Sequence, residues 1–207
     1  MRDELMRDEL RGNPLDIVGR WVAEAQTADL PLPSTMTLAT ADADGVPHAR
    51  TVLVTAVDAE SLRFQSSTPT TKTRDLAANA RVSAVFHWPA LGRQVVLQGE
   101  AAELDRTTSR AAYPTRPRQL QLVAWAYEAL APGLTAPDFE VPSGAVEREF
   151  AAADDDPRSA TAPPSWTTVR LVPHRVDFWQ AGTTTTPPAK TRFTRDADGW
   201  RSFPVLP

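Results

Sequence analysis

Residues 35–57 read TMTLATADADGVPHARTVLVTAV, and the fold follows from this stretch. Two runs, 35–41 and 48–57, are rich in threonine and valine, as β-strands are. Between them Asp42-Ala43-Asp44-Gly45 is a turn, so the stretch predicts a β-hairpin. Outward from it, 61–67 reads as a third strand. Residues 81–88 and 94–104 read as two more, joined through Pro89-Ala90-Leu91-Gly92. Residues 70–79 read as a helix carrying Lys72, Arg74, Asp75 and Leu76. Strands return at 167–173, 176–180, 190–195 and 200–205, the last two linked by Asp196-Ala197-Asp198-Gly199. Successive hairpins with an inserted helix predict a mainly β chain with helices (α+β), closed or nearly closed as an antiparallel barrel.

Before the hairpin, Asn13-Pro14 has the form of an N-cap followed by proline at the first helical position. Leu15, Val18, Trp21, Val22 and Ala25 then recur at helical spacing and should pack on one face. Residues 1–13, with MRDEL written twice, are expected to be a disordered or helical extension, and 14–207 one domain. Residues 107–125 are helical in character but interrupted at Pro114 and Pro117. Residues 131–164, rich in proline, alanine and acid, read as a surface excursion with a helix over 143–153.

Composition narrows the chemistry. The chain has 207 residues, no cysteine and a net charge of −4, which excludes disulfides, thiolate metal sites and a nucleic-acid surface over the whole protein. No apolar run approaches a transmembrane length, and the charged opening lacks the apolar core of a secretory signal. A cytoplasmic location is the expectation. His48, His87 and His174 have no ligand spacing, and Asp154 to Asp156 lack the partners of a calcium loop. Lysine occurs only at 72 and 190 in a chain that otherwise uses arginine.

Polar residues gather instead at strand ends. Arg50 starts one strand, Ser66 and Ser67 close the next, and Thr70, Thr71 and Lys72 open a helix. Hydroxyls, free backbone N–H groups and a lysine at a helix N-terminus can cradle a phosphate. The same serines and threonines also serve as ordinary caps.

An ordered series of motifs resembles the pyridoxamine 5′-phosphate oxidase family. It includes Met36-Thr37-Leu38-Ala39-Thr40, Arg50-Thr51-Val52-Leu53-Val54, Phe86-His87-Trp88-Pro89, Arg93-Gln94-Val95 and Arg116-Pro117-Arg118. Pro163-Pro164-Ser165-Trp166, Arg170-Leu171-Val172-Pro173, Phe178-Trp179-Gln180 and Asp198-Gly199-Trp200 continue it in order. The resemblance implies a homodimer of split β-barrels with FMN at the subunit interface. It implies an FMN site made of Arg50, Thr51, Val52, Leu53, Ser66, Thr71, Lys72, Gln94, Trp179 and Lys190. Arg50 and Lys72 would serve the phosphate region, Gln94 would contact the flavin, and Trp179 would lie beside it. Core packing is the other reading of Trp179.

The departures from the family pattern matter as much. Thr71 stands for a phosphate-binding arginine, Gln65 for an aromatic residue and Ala129-Leu130 for a Gln-Ser pair that touches FMN. Lys190 stands for a further arginine. On the substrate side Thr55 replaces a lysine, Leu120 a serine, and Tyr113 is one residue out of register. Residues 183–188, TTTTPP, replace an Arg-Leu-His segment. Arg116, Arg118 and Tyr113 remain as substrate candidates, with surface ion pairing the other reading of the two arginines. The resemblance therefore implies an FMN-dependent oxidoreductase acting on a small molecule other than pyridoxine or pyridoxamine phosphate. A true pyridoxamine phosphate oxidase and a non-catalytic flavin-binding barrel remain as alternatives.

Overall fold

The computed structural model describes residues 10–207, so most of the predicted N-terminal extension lies outside the described residues. Helix α1 (Pro14–Thr27) starts as its sequence dictates: the Asn13 side chain accepts a hydrogen bond from the Leu15 N–H at 2.9 Å. Its buried face holds Leu15, Val18, Trp21, Val22 and Ala25. Trp21 meets Phe178 edge-on at 5.1 Å, which seats the helix on the barrel wall.

Strands β1 (Thr35–Ala41), β2 (Pro47–Val57), β3 (Leu62–Ser67), β4 (Arg81–Trp88), β5 (Arg93–Glu103) and β6 (Trp166–Gln180) form an antiparallel sheet in the order β3-β2-β1-β4-β5-β6. Pairing of β3 with β6 closes it into a six-stranded barrel. The first half of β6 pairs with β3, Trp166 opposite Ser67 through Leu171 opposite Leu62. Its second half pairs instead with β7 (Ala189–Asp196), which carries β8 (Gly199–Pro204) as a hairpin partner. The barrel is split along this one long strand. Leu38, Phe64, Phe86, Leu97, Val169 and Leu171 fill the interior and are essentially inaccessible to solvent.

The sequence predicted two strands, 167–173 and 176–180, where the structure has one. Pro173 is accommodated because the register of β5 against β6 shifts between Gln98 and Gly99, and a bulge tolerates a residue without an N–H. Gly99 is required there. A Cβ on it would lie 2.2 Å from the Val172 carbonyl oxygen and 2.6 Å from the Pro173 Cα, both backbone atoms with little freedom to yield. Gly99→Ala should therefore destabilise the protein by about 1–3 kcal/mol, measured as a lowered midpoint of urea unfolding. An unchanged midpoint would show that the bulge can slide.

Helix α2 (Thr71–Ala78) packs over one end of the barrel against β1 and β5. Thr70 and Thr73 form its reciprocal capping box. The predicted helix over 107–125 is two helices, α3 (Arg106–Ala111) and α4 (Arg118–Leu130), parted by a 3₁₀ turn at Tyr113–Thr115. The prolines at 114 and 117 impose that break. The excursion is not a bare linker: α5 (Ala145–Asp154) lies along α4. Among the described residues, no helix is long and apolar enough to cross a membrane.

Candidate functional site

The hydroxyl and cation cluster expected at the strand ends forms where α2 meets the barrel. Lys72 Nζ donates to Ser66 Oγ at 2.5 Å. Arg50 projects from β2 on the same side as Val52 and Val54 and donates through Nη1 to Thr40 Oγ1 at 2.6 Å. Thr40 in turn donates to Asp75 Oδ2 at 2.5 Å. Asp75 also receives His48 Nδ1 at 2.9 Å and lies 3.8 Å from Arg50 Nη2. A buried carboxylate on α2 thus holds Arg50 through a threonine relay.

Lys72 has no such partner among the described residues. Burial pushes its ammonium down to about 8, the Arg50 charge pushes the same way, and only Glu103 opposes them. Burial also lowers the Arg50 guanidinium, with Asp75 as the counterweight. Two partly buried cations that repel each other, beside a serine hydroxyl, form a site short of negative charge. A phosphate monoester supplies that charge and the acceptor oxygens, so the residues present fit the phosphate of FMN.

Thr51 and Leu53 point outward from β2, while Val52 is buried. Leu53 and Thr55 line an outer cleft of about 340 Å³ with Arg63, Gln65, Arg116 and Thr168. The cleft floor is a neutral hydrogen-bonded chain: Thr168 donates to Gln65 Oε1 at 2.6 Å, and Gln65 Nε2 to Thr55 Oγ1 at 3.3 Å. Arg63 is paired with Asp58 at 2.6 Å. Arg116 is different. Its Nε is buried without a hydrogen-bond partner, its guanidinium lies 5.7 Å from the Trp166 ring centroid, and burial alone lowers its pKa.

The other two substrate candidates are not in this cleft. Tyr113 is fully buried, its hydroxyl 3.1 Å from the carbonyl oxygens of both Gln121 and Ser159, with its ring edge-on to Trp166. Arg118 turns to Asp154 at 3.2 Å, joining α4 to α5. Residues 183–186 close on themselves, the Thr183 N–H donating to the Thr186 carbonyl at 2.9 Å.

Gln94, Trp179 and Lys190 form one cross-strand row, Gln94 opposite Trp179 and Trp179 opposite Lys190. The chain does not bring this row to the Arg50–Lys72 cluster. Lys72 is within electrostatic reach of Glu103 at the end of β5, whereas Gln94 stands at its start. Nine residues of extended strand separate them, roughly 30 Å. Beside the row, Asp177 receives two bidentate guanidinium forks, from Arg175 at 3.0 and 2.8 Å and from Arg192 at 2.9 and 3.0 Å. Lys190 Nζ lies 3.7 Å away.

Sequence reasoning missed Thr40, His48 and Asp75 as a positioning set. The available signal was Asp75 three residues after Lys72, on a helix whose start was already suspect. It missed Asp177 altogether, because strand pairing alone sets Arg192 opposite it.

A closed six-stranded barrel, split along its longest strand and capped by a helix bearing a cation cluster, defines the split β-barrel class. A family model described as pyridoxamine 5′-phosphate oxidase matches residues 22–179. A protein from Rubrobacter xylanophilus named pyridoxine/pyridoxamine 5′-phosphate oxidase is 35% identical over 206 residues, covering 100% of this chain and 92% of its own length. One of the same name from Bordetella avium is 39% identical over 181 residues, covering 86% and 82%. Among solved structures, PhzG from Burkholderia lata, in complex with tetrahydrophenazine-1-carboxylic acid, has a TM-score of 0.82 at 23% identity, covering 97% of this chain and 95% of its own. A pyridoxamine 5′-phosphate oxidase-related, FMN-binding protein from Nostoc punctiforme has a TM-score of 0.72 at 18% identity, covering 92% and 95%. The chain belongs to the pyridoxamine 5′-phosphate oxidase family.

Proposed function

We propose that the protein is an FMN-dependent oxidoreductase whose substrate is not pyridoxine or pyridoxamine phosphate. The observation that carries the flavin reading is the Arg50–Ser66–Lys72 cluster, two partly buried cations and a hydroxyl with no carboxylate bonded to Lys72 among the described residues. When bound, the flavin accepts a hydride equivalent, and the protein's own task is binding and orientation. Arg50 and Lys72 hold the phosphate, while Asp75 and Thr40 keep Arg50 aimed at it. Leu53 and Thr55 border the cleft in which the substrate is presented.

Gln94, Trp179 and Lys190 lie too far from that cluster to share one flavin with it in the same chain. A homodimer resolves this: a second copy supplies the row that completes the site. The substrate reading rests on the cleft. Arg116 is the cation there with no acidic partner among the described residues, and it can anchor one anionic group. The self-bonded 183–186 turn offers no cation to assist it.

Genuine pyridoxine/pyridoxamine phosphate oxidation is the second reading, favoured by the names of the curated relatives at 35–39% identity. Incubating the flavin-loaded protein with pyridoxamine 5′-phosphate while recording hydrogen peroxide separates the two. Turnover at least about a hundredfold below that of a competent oxidase is expected, from the loss of several charge-assisted contacts worth roughly 1.5–3 kcal/mol each. Sustained peroxide formation at oxidase rates would establish the second reading.

A further inference from the structure

The outer cleft offers a ligand a fixed and small amount of positive charge. Of its two lining cations, Arg63 is taken by Asp58 at 2.6 Å. The Arg63 hydrogen bond is the largest influence holding that carboxyl down at about 2, so the pair is neutral as a whole. Arg116 therefore brings the one uncompensated charge that the described residues give the cleft. Its usable edge is limited as well. The Nε is buried, and the Trp166 ring lies 5.7 Å from the guanidinium carbon, which leaves the Nη edge for a ligand. The hydroxyl protons of the wall are spent inside the protein. Thr55 donates to the Arg63 carbonyl at 3.2 Å, Thr115 to the Ala112 carbonyl at 2.9 Å and Thr168 to Gln65 at 2.6 Å. Thr108 donates to Asp105 Oδ2 at 2.6 Å, which sets a carboxylate beside the wall.

We propose that this cleft selects a carboxylate over a phosphate monoester, so that the substrate is a small carboxylic acid held end-on by Arg116. This rests on the reading that the cleft presents the substrate, and it specifies the substrate's anionic group. Charge and oxygen counts decide between the two groups. A carboxylate carries one charge on two oxygens, which one guanidinium fork matches. A phosphate monoester carries a charge of about −1.5 to −2 at neutral pH on three peripheral oxygens. In this cleft it would keep an oxygen without a charged donor and up to one charge without a counter-ion, and Asp105 adds to that imbalance. Size points the same way. The cleft is near the lower end of ligand pockets. It continues under α1, where Ser34, Val54, Thr55 and Ala56 also border a hollow of about 210 Å³ walled by Val22 and Val57. The uncharged body of the acid lies there.

Benzoate and phenyl phosphate share a ring and differ in the anionic group. Titration calorimetry of each at about pH 8, on the full chain loaded with FMN and on its Arg116→Gln variant, tests this. Binding is scored as the part lost in Arg116→Gln, which sets aside any phosphate taken up at the Arg50–Lys72 cluster. Benzoate should bind about tenfold or more tighter than phenyl phosphate, the scale of one unmatched phosphate oxygen. Equal or tighter binding of phenyl phosphate, or no Arg116-dependent binding of either, overturns the inference and leaves the flavin reading standing. A chain that takes up no FMN overturns the flavin reading, and the same comparison on the unloaded chain still decides this one. Thr55→Lys, at an exposed strand position on the wall, adds a second cation. It should move the preference toward phenyl phosphate by about tenfold or more, and a preference unmoved by the added charge overturns the inference.

Discussion

Replacing Lys72 by methionine should weaken FMN binding by roughly 10- to 150-fold at pH 7, the equivalent of about 1.5–3 kcal/mol for one charge-assisted hydrogen bond. The same substitution should leave the unliganded barrel folded and no less stable. Both outcomes come from one geometry. Lys72 donates to Ser66 Oγ but has no bonded carboxylate among the described residues, and burial followed by the Arg50 charge pushes its pKa from 10.5 down to about 8. A group whose pKa falls on folding destabilises the folded state wherever it is charged in both states. The penalty is present in full below pH 8 and fades as pH rises from about 8 to 10.5. The unliganded protein should therefore gain stability across that window, and Lys72→Met should flatten the gain. FMN affinity should move the opposite way, falling above pH 8, because the lysine must take up a proton to meet the phosphate. Titration calorimetry at several pH values, with thermal unfolding of the unliganded protein alongside, measures all of this. An FMN affinity indifferent to Lys72→Met removes Lys72 from the site.

Asp177→Asn should be strongly destabilising, at about 3 kcal/mol, the lower end of what breaking a buried ion pair costs, because it leaves three partly buried cations without their counter-ion. Asp177 is almost fully buried and receives forked hydrogen bonds from both Arg175 and Arg192, with Lys190 3.7 Å away. Burial on its own would raise the carboxyl pKa. The hydrogen bonds and charges of Arg175 and Arg192 outweigh it and hold the group at about 2. The sign is that of a depressed acid: its contribution to stability is present above the ordinary value of 3.8 and is lost as pH falls through about 2. Asparagine keeps the shape and loses the charge, so urea unfolding at neutral pH isolates the electrostatic part. A loss under about 1 kcal/mol would mean that solvent screens the cluster. The substitution also frees Lys190, the cross-strand neighbour of Trp179, so its effect should extend to the row proposed to meet the flavin.

Much of the architecture was legible in the sequence because its signals are local. The Asn13-Pro14 start, the Asp-Gly turns and the threonine- and valine-rich runs around Gly45 each act within a few residues. The continuity of β6 through Pro173 was not legible, because it depends on a bulge formed with Gly99 on another strand. The family resemblance gathered Arg50, Ser66 and Lys72, and the fold brings them together. It also gathered Gln94, Trp179 and Lys190, which the fold holds at the other end of the barrel. Tyr113 and Arg118 were read as substrate groups from motif position, yet burial takes one and Asp154 the other. The excursion read as a solvated surface because its proline and acid content hides that Leu134, Phe139 and Val146 are partly buried. Amphipathic packing over so irregular a segment leaves no period to detect.

The central claim is that the cation cluster under α2 holds a flavin phosphate. Equilibrium titration of the full chain with FMN at pH 7, read by the change in flavin absorbance, tests it most directly. The account predicts saturable binding at about one flavin per chain, with each barrel contributing one phosphate cluster and one Gln94–Trp179 row. A protein that stays colourless after dialysis at saturating FMN would contradict it.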